Sequence, residues 1–336
     1  MATVALTRAT VLTPVSKAMR HFNVPVEKLL RRRGLPALET DDPAHWVPTH
    51  AVVMLAQDVQ RIIGPEAFGV WLERTCDLSQ LGPFNNVLRR SRTLYDALNR
   101  YHRFYREFRS YANISMARRG DDLWIRRSVD SRMAANNGAL QLYGLSEITR
   151  IVHLAAGDSW QPNRIVLQSD TDSILKTMPH LAGADAVLDA EFCAIAIPVG
   201  MLSRPIKQRH GSGVMALADD DAAAMSPPPE GFSDSVLEII STHFLDCYPA
   251  MNTVAESIGV NARTVQRRLA ADGLTYRDLI DWYRFETAKR LILEDRVRLT
   301  DVAAELEYND AGSFTRAFRR WAGVSPREYR ALHTMA

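Results

Sequence analysis

Two groups of arginines stand close together near the C-terminal end of the chain: Arg263, Arg267 and Arg268 in "NARTVQRRLAADG", and Arg316, Arg319 and Arg320 in "SFTRAFRRWAG". The planar guanidinium fork bonds guanine O6 and N7 together, or two oxygens of a phosphate, where lysine offers a single point charge. Lys289 is the sole lysine beyond residue 232. The formal net charge is only +2, so the positive potential is local and no global field steers the chain to a polyanion. The chemistry on offer is recognition of base edges or phosphates, provided that the arginines are displayed at a useful spacing.

The elements that display them follow from the apolar periodicity. In "NTVAESIGVNARTVQRRLAADG", Val254, Ala255 and Ile258 form the buried stripe of a short helix. Gly259 follows, where a sharp turn needs positive φ. Asn261 is a good N-cap for a second helix. There Val265 and Leu269 face inward, while Arg263 and Arg267 share another face with Thr264 and Gln266 beside them. One helix braces, and the next presents long polar side chains: this is a helix-turn-helix. The pattern recurs downstream. "VAESI" is echoed by "VAAEL" at 302–306, and Val265, Arg267 and Leu269 by Phe314, Arg316 and Phe318, after one extra residue in the second turn.

Between the repeats, 275–295 reads as one uninterrupted helix with Leu279, Tyr283, Phe285, Ala288, Leu291 and Ile292 on an apolar side. Its length of roughly 30 Å approaches the ~34 Å between neighbouring major grooves on one face of B-DNA. Arg267 and Arg316 are the leading candidates for reading bases, with Arg263, Thr264, Gln266 and Ser313 as further contacts. Arg268, Arg319 and Arg320 suit phosphate equally well, which positions a protein without specifying sequence. The bland alternative for either group alone is a solvated helix face. Phe314, Phe318 and Trp321 read as core, with Trp321 filling a large buried volume.

At 336 residues the chain suggests more than one domain. The stretch 210–234 combines Gly and Ser, an aspartate run at 219–221 and three successive prolines, a composition that favours an extended linker. The division expected is an α+β domain over 1–205, a linker over 206–232, and an all-α domain over 233–336 with two helix-turn-helix motifs joined by a long helix. In the first part, 1–90 reads as mostly helical, with 51–63 amphipathic. In "TLYDALNRYHRFYREFRSY", Leu94, Leu98, Tyr101, Tyr105 and Phe108 form one stripe, and Arg100, Arg103, Arg106 and Arg109 lie elsewhere. Those arginines either form a solvated face, the stronger expectation, or bind an acidic effector. "ISMARRGDDLWIRRSVD" reads as a hairpin, 138–156 as helix, and "NRIVLQSD" and "CAIAIPV" as strands.

With these residues in place, "LTDVAAELEYNDAGSFTRAFRRWAGVSPREYR" resembles the C-terminal signature of the AraC/XylS family of bacterial transcription regulators. The tail of that signature stands here as Phe314, Arg316, Phe318, Gly323, Ser325, Pro326, Tyr329 and Arg330, and the resemblance covers about 240–333. It implies a transcription regulator that binds double-stranded promoter DNA. One departure is Glu307, where the family has Gly in the second turn; a left-handed residue other than Gly costs around 1 kcal/mol. Residues 1–205 resemble the effector domain of one AraC subgroup, the arabinose-binding type, through "TLYDALNRYHRFY", the hairpin after it and "AIAIPVGMLSRPI". That resemblance implies an unidentified small-molecule effector and self-association as a homodimer. Its helix–hairpin–helix order is loosely similar to haem-based nitric-oxide sensor domains, but no cofactor is expected.

Other chemistry finds little support. Cys76, Cys193 and Cys247 are widely spaced and form no CxxC, which fits a reducing cytoplasm. The N-terminal segment lacks a signal-peptide pattern, and no apolar run approaches a membrane span. His102 reads as a packed or surface histidine, and His45 and His50 have no partner at ligand spacing. With no nucleophile or metal motif in context, an enzyme is the weaker reading. A helical interaction module that never touches DNA is the other rival. The expectation is a cytoplasmic, non-enzymatic regulator, an activator that contacts RNA polymerase.

Overall fold

The computed structural model describes residues 4–36, 45–110, 112–129, 138–168, 175, 178, 180–207, 227–243, 248–294 and 297–334. The first half begins β1 (Leu6–Arg8), α1 (Leu12–His21), α2 (Val26–Arg32), β2 (Trp46–Pro48), α3 (Thr49–Ile63), α4 (Pro65–Thr75) and α5 (Pro83–Arg89). It continues with α6 (Leu94–Phe104), β3 (Ala112–Arg119), β4 (Asp122–Val129), α7 (Gly138–Ala156), β5 (Arg164–Val166), β6 (Asp185–Val187) and β7 (Cys193–Pro198). The second half is all helical: α8 (Phe232–His243), α9 (Met251–Ser257), α10 (Ala262–Ala271), α11 (Tyr276–Leu293), α12 (Leu299–Glu305), α13 (Ala311–Ala322) and α14 (Pro326–Thr334).

The first half is α+β, as its patterning implies. In α3, Val52, Leu55, Ala56 and Val59 recur at helical spacing and are buried, and Gly64, at φ 87°, ends the helix. The α6 stripe is buried throughout, and Thr93 caps the helix by accepting from the Asp96 amide at 3.2 Å. The hairpin joins β3 to β4 with Arg119 opposite Asp122, and Gly120 takes φ 62° in its turn. The main sheet runs β3-β4-β7-β5-β6; all its pairs are antiparallel except β5 with β6. Helix α7 is buried on nearly every side of its described length, Ser146 and Thr149 included, because it packs against α4, α6 and β7 at once.

One expectation is corrected, and three short strands join the elements read from the sequence. Residues 1–90 are mostly helical, as their patterning implies, but β1 and β2 lie among the helices and pair antiparallel, Leu6 with Pro48 and Arg8 with Trp46. Strands of three residues are too short to show a period of two. Strand β6 likewise falls outside the elements read from the sequence. Arg109 does not join a solvated face: α6 gives way after Phe104 to a 3-10 turn at Tyr105–Glu107, which swings Arg109 inward. It is 8% exposed and pairs with Glu147 of α7 at 2.8 Å. Its neighbours His102, Arg103 and Arg106 remain exposed.

The second half holds two cores. One gathers α8, α9, α10 and the start of α11 around Val236, Ile240, Val254, Val265 and Leu269, and it takes in Val4, Leu6 and Trp46 from the first half. Backbone groups of β2 seal that junction. The Trp46 amide donates to Glu238 Oε1 at 3.1 Å, and Thr242 Oγ1 donates to the Trp46 carbonyl at 3.2 Å. The other core joins the end of α11 to α12 and α13 around Ala288, Ile292, Val302, Phe314 and Phe318. Most of the expected linker, 208–226, lies outside the described residues, as do Asp219–Asp221 and Cys247.

Candidate nucleic-acid interface

The two arginine helices are built alike. In the first, Val254 and Ala255 of α9 are buried, Ile258 is half-buried, and Gly259 turns the chain at φ 75°. Asn261 caps α10 by accepting from the Thr264 amide at 2.8 Å. In the second, Val302 and Ala303 of α12 are buried, Glu307 turns the chain at φ 59°, and Asp310 caps α13 by accepting from the Ser313 amide at 2.7 Å. The left-handed residue expected at Glu307 is therefore present. The two turns differ in their surroundings. A Cβ at Gly259 would come within 2.9 Å of the His50 ring of α3, whereas the Glu307 side chain is exposed. Glycine is required twice over at the first turn and only for its dihedral at the second.

The inward residues are as expected, with Val265, Leu269, Phe314 and Phe318 fully buried. Outward, Arg263, Gln266 and Arg267 are exposed on α10, and Arg316, Arg319 and Arg320 on α13. Among the described residues, Arg263, Arg267, Arg316 and Arg319 make no ion pair. The other expected contacts are drawn into the protein. Thr264 Oγ1 donates to Asn261 Oδ1 at 3.0 Å, and Ser313 Oγ to Asp310 Oδ2 at 2.7 Å, so both hydroxyls serve the caps. Arg316 Nη2 donates to Ser313 Oγ at 2.9 Å. Arg268 is half-buried with its guanidinium 5.1 Å from the Phe232 ring centre, and Arg320 pairs with Asp281 of α11 at 2.8 Å.

The long helix α11 holds the two motifs together. A capping box at Thr275 and Asp278 starts it, and its eighteen residues span about 27 Å. Its apolar residues form two patches rather than one stripe. Leu279, Ile280 and Tyr283 serve the first core, and Phe285, Ala288, Leu291 and Ile292 the second. Between them Arg284 lies 4.4 Å from the ring centre of Tyr248 and 5.1 Å from that of Tyr308, a cationic clip between the two motifs.

Several residues of the C-terminal signature are structural. Ser325 and Glu328 form a reciprocal cap on α14, with Pro326 at its first position. Tyr329 packs edge-on against Phe318 at 5.4 Å. Arg330 donates to the carbonyls of Ile292 and Val297 at 2.6 and 2.7 Å, closing the C-terminal end of α11. Trp321 is half-buried at the edge of the second core, not at its centre, because its ring leans on Phe285 and Tyr308 from outside. The cap carboxylates stay ionised: hydrogen bonds from Thr275, Ser313 and Ser325 hold Asp278, Asp310 and Glu328 below the ordinary range.

Comparison with known proteins agrees with this architecture. Residues 254–332 match the model of a helix-turn-helix domain. Residues 24–206, more than half of the chain, match the arabinose-binding domain of AraC transcription regulators. The HTH-type transcriptional regulator VirS of Mycobacterium tuberculosis is 24% identical over 333 residues, covering 97% of each chain. The ornithine utilization regulator of Pseudomonas aeruginosa is 22% identical over 279 residues, 82% of each chain. The HTH-type transcriptional regulator VqsM of the same organism is 39% identical over 94 residues, 28% of this chain and 29% of that protein. Among the described residues no helix is long and apolar enough to cross a membrane.

Proposed function

The chain belongs to the AraC family of transcription regulators, and from that premise we propose that it reads promoter DNA with α10 and α13 in successive major grooves. Arg267 and Arg316 reach base edges. Arg263, Gln266 and Arg319 flank them, while Arg268 and Arg320 reinforce phosphate contacts by leaving their internal partners. Thr264 and Ser313 contribute mainly by fixing the helix starts. The observation that carries this reading is the placement of exposed arginines without ion pairs on both helices of a repeat. We take 1–205 as an effector-sensing and self-associating domain, 206–232 as linker and 233–336 as the reading domain. The effector then acts through the core that Leu6 and Trp46 share with α8, α9 and α10, and the protein works in the cytoplasm as an activator in contact with RNA polymerase. No enzymatic step belongs to this reading.

The test is a footprint on the DNA beside the protein's own gene, followed by titrations at several salt concentrations. Two protected major grooves per subunit are expected, and the logarithm of affinity should fall steeply with the logarithm of salt, about 0.9 per phosphate neutralised. Arg267→Ala and Arg316→Ala should each lose about 1–3 kcal/mol and relax preference at one base pair. A salt-independent affinity would favour an interaction module. Equal losses on cognate and random duplex would reassign both arginines to phosphate.

A further inference from the structure

The five-stranded sheet ends in two unequal edges. β6 closes one side with three residues, and a strand that short offers little to pair with. β3 closes the other with eight, in one unbroken register from Ala112 opposite Val129 to Arg119 opposite Asp122. Its first six residues, "ANISMA", hold none of the devices that blunt an edge: no proline, no charge and no bulge. Charge enters only at the end, with Arg118 and Arg119.

Half of the backbone groups of β3 face away from β4. Gly120 and Asp121 form a two-residue turn, so Arg119 and Asp122 flank it and exchange backbone bonds. Alternation then spends Ala117, Ser115 and Asn113 on β4 as well, and turns the amides and carbonyls of Ala112, Ile114, Met116 and Arg118 outward. β1 occupies backbone groups of Phe108 and Ser110, just ahead of the strand. Among the described residues, no backbone group of β3 itself bonds to anything but β4. Such a row is a template for another strand.

The side chains suit a copy of the same strand. Antiparallel pairing of β3 with itself, centred on Ser115, sets every outward-facing residue against an outward-facing residue of the second copy. Ile114 then meets Met116, Asn113 meets Ala117, and Ser115 meets Ser115. Ile114 is 8% exposed in the main core and Met116 leans on that core, so their contact extends the apolar layer beneath the sheet. Arg118 meets Ala112, and no arginine opposes another. A register centred on Arg118 would set like charges directly opposite, which destabilises a strand pair.

We propose that the chain self-associates along this edge, β3 pairing antiparallel with β3 of a second copy about a twofold axis at Ser115, so that the two sheets become one. The contact is isologous, as a twofold requires. The assignment rests on the self-association reading above and gives it a surface and a register.

The test is sedimentation equilibrium of the full-length protein, combined with oxidative cross-linking of cysteine variants. The parent should be a dimer. Ser115 faces its counterpart in a pair not joined by backbone bonds, with Cα atoms about 4.5 Å apart, within disulfide reach. Ser115→Cys should therefore form a covalent dimer on mild oxidation. Asn113→Cys should not exceed the parent, because its counterpart lies four residues along, roughly 14 Å away, and Cys76 and Cys193 are buried. Ser115→Lys, a change at an exposed side chain, should weaken the dimer about tenfold or more by setting two ammonium groups opposite each other. A dimeric parent whose Ser115→Cys cross-links no better than Asn113→Cys, or whose Ser115→Lys stays equally associated, sinks the β3 assignment and leaves self-association standing. A monomeric parent sinks both.

Discussion

Replacing Trp46 should loosen a helix-turn-helix that begins about two hundred residues further along the chain. Trp46 is 2% exposed, sits in one core with Val236, Ile240, Val265 and Leu269, and carries the Arg8 guanidinium 4.1 Å above its ring. Truncation to Ala removes a large buried side chain, at about 3–5 kcal/mol. It also strips Arg8 of its ring contact, worth up to about 2 kcal/mol where desolvated. The two backbone hydrogen bonds of Trp46, to Glu238 and from Thr242, can survive the change. Trp46→Phe behaves differently. It keeps an aromatic face under Arg8 and removes an indole N–H that is buried without a partner, so the lost volume is offset by a relieved desolvation penalty of about 1–3 kcal/mol.

The assay is amide hydrogen exchange on the full-length protein, read at particular amides. Trp46→Ala should reduce protection at Val265 and Leu269 by about a hundredfold or more, since 3 kcal/mol exceeds two decades. Protection at Phe314 and Phe318, in the other core, should be nearly unchanged. Trp46→Phe should leave both regions close to the parent. If Trp46→Ala changes the α10 amides less than threefold, the shared core does not support the first motif and the reasoning fails.

Two further predictions concern the turns and the pH response. Gly259→Ala should destabilise by more than 1 kcal/mol, from left-handed strain plus the 2.9 Å approach to His50, whereas Glu307→Gly should stabilise by up to about 1 kcal/mol; paired urea titrations check both signs. His50, His153 and His180 all have pKa values lowered, with burial as the leading cause. Above about pH 6.5 neither state is protonated and their contribution is complete. As pH falls below that value the unfolded chain takes up protons that the folded one refuses, so stability declines until the lowered folded pKa values are passed. Urea midpoints should drop between pH 7.5 and 5.5, and less steeply in His153→Gln. A flat profile would refute the assignment. Glu73, held above its ordinary range by burial, acts in the opposite direction, its charged form being the destabilised one, so its penalty is relieved as pH falls through its raised folded pKa.

The second half of the chain was legible because its determinants are local. Val265 and Leu269, Phe314 and Phe318, and the two N-caps lie within a few residues of the turns they define, and helical spacing reports them directly. What the sequence concealed is non-local. Arg100, Arg103, Arg106 and Arg109 share one spacing, and nothing along the chain marks the last as buried; its partner Glu147 lies 38 residues on and its inward swing depends on a 3-10 turn. Leu6 and Trp46 carry no local sign that they complete a core 190 residues away, because two strands of three residues are below the length at which alternation can be recognised. The apolar residues of α11 could be identified, but not their assignment to two separate cores.

That assignment bears on how a signal can travel. The second core is assembled wholly from residues beyond 284, and α11, Arg284 and the Arg320–Asp281 pair connect it to the first motif. The first core borrows Val4, Leu6 and Trp46, and its turn rests against His50. Among the described residues, a change in the first half therefore meets the first motif directly and the second only through α11. Since α11 is a capped helix without an internal break, displacement of α8 or α9 tilts the helix as a unit instead of bending it. On the proposed reading, two arginine helices joined by a rod about 27 Å long engage one face of a duplex only when both are correctly oriented. Coupling free energies of 1–3 kcal/mol suffice for a 5–150-fold change in affinity, less than the estimated contribution of Trp46 alone. On the proposed function, a small rearrangement of β1 and β2 against the first core would therefore have enough energy at its disposal to change promoter occupancy without unfolding either motif.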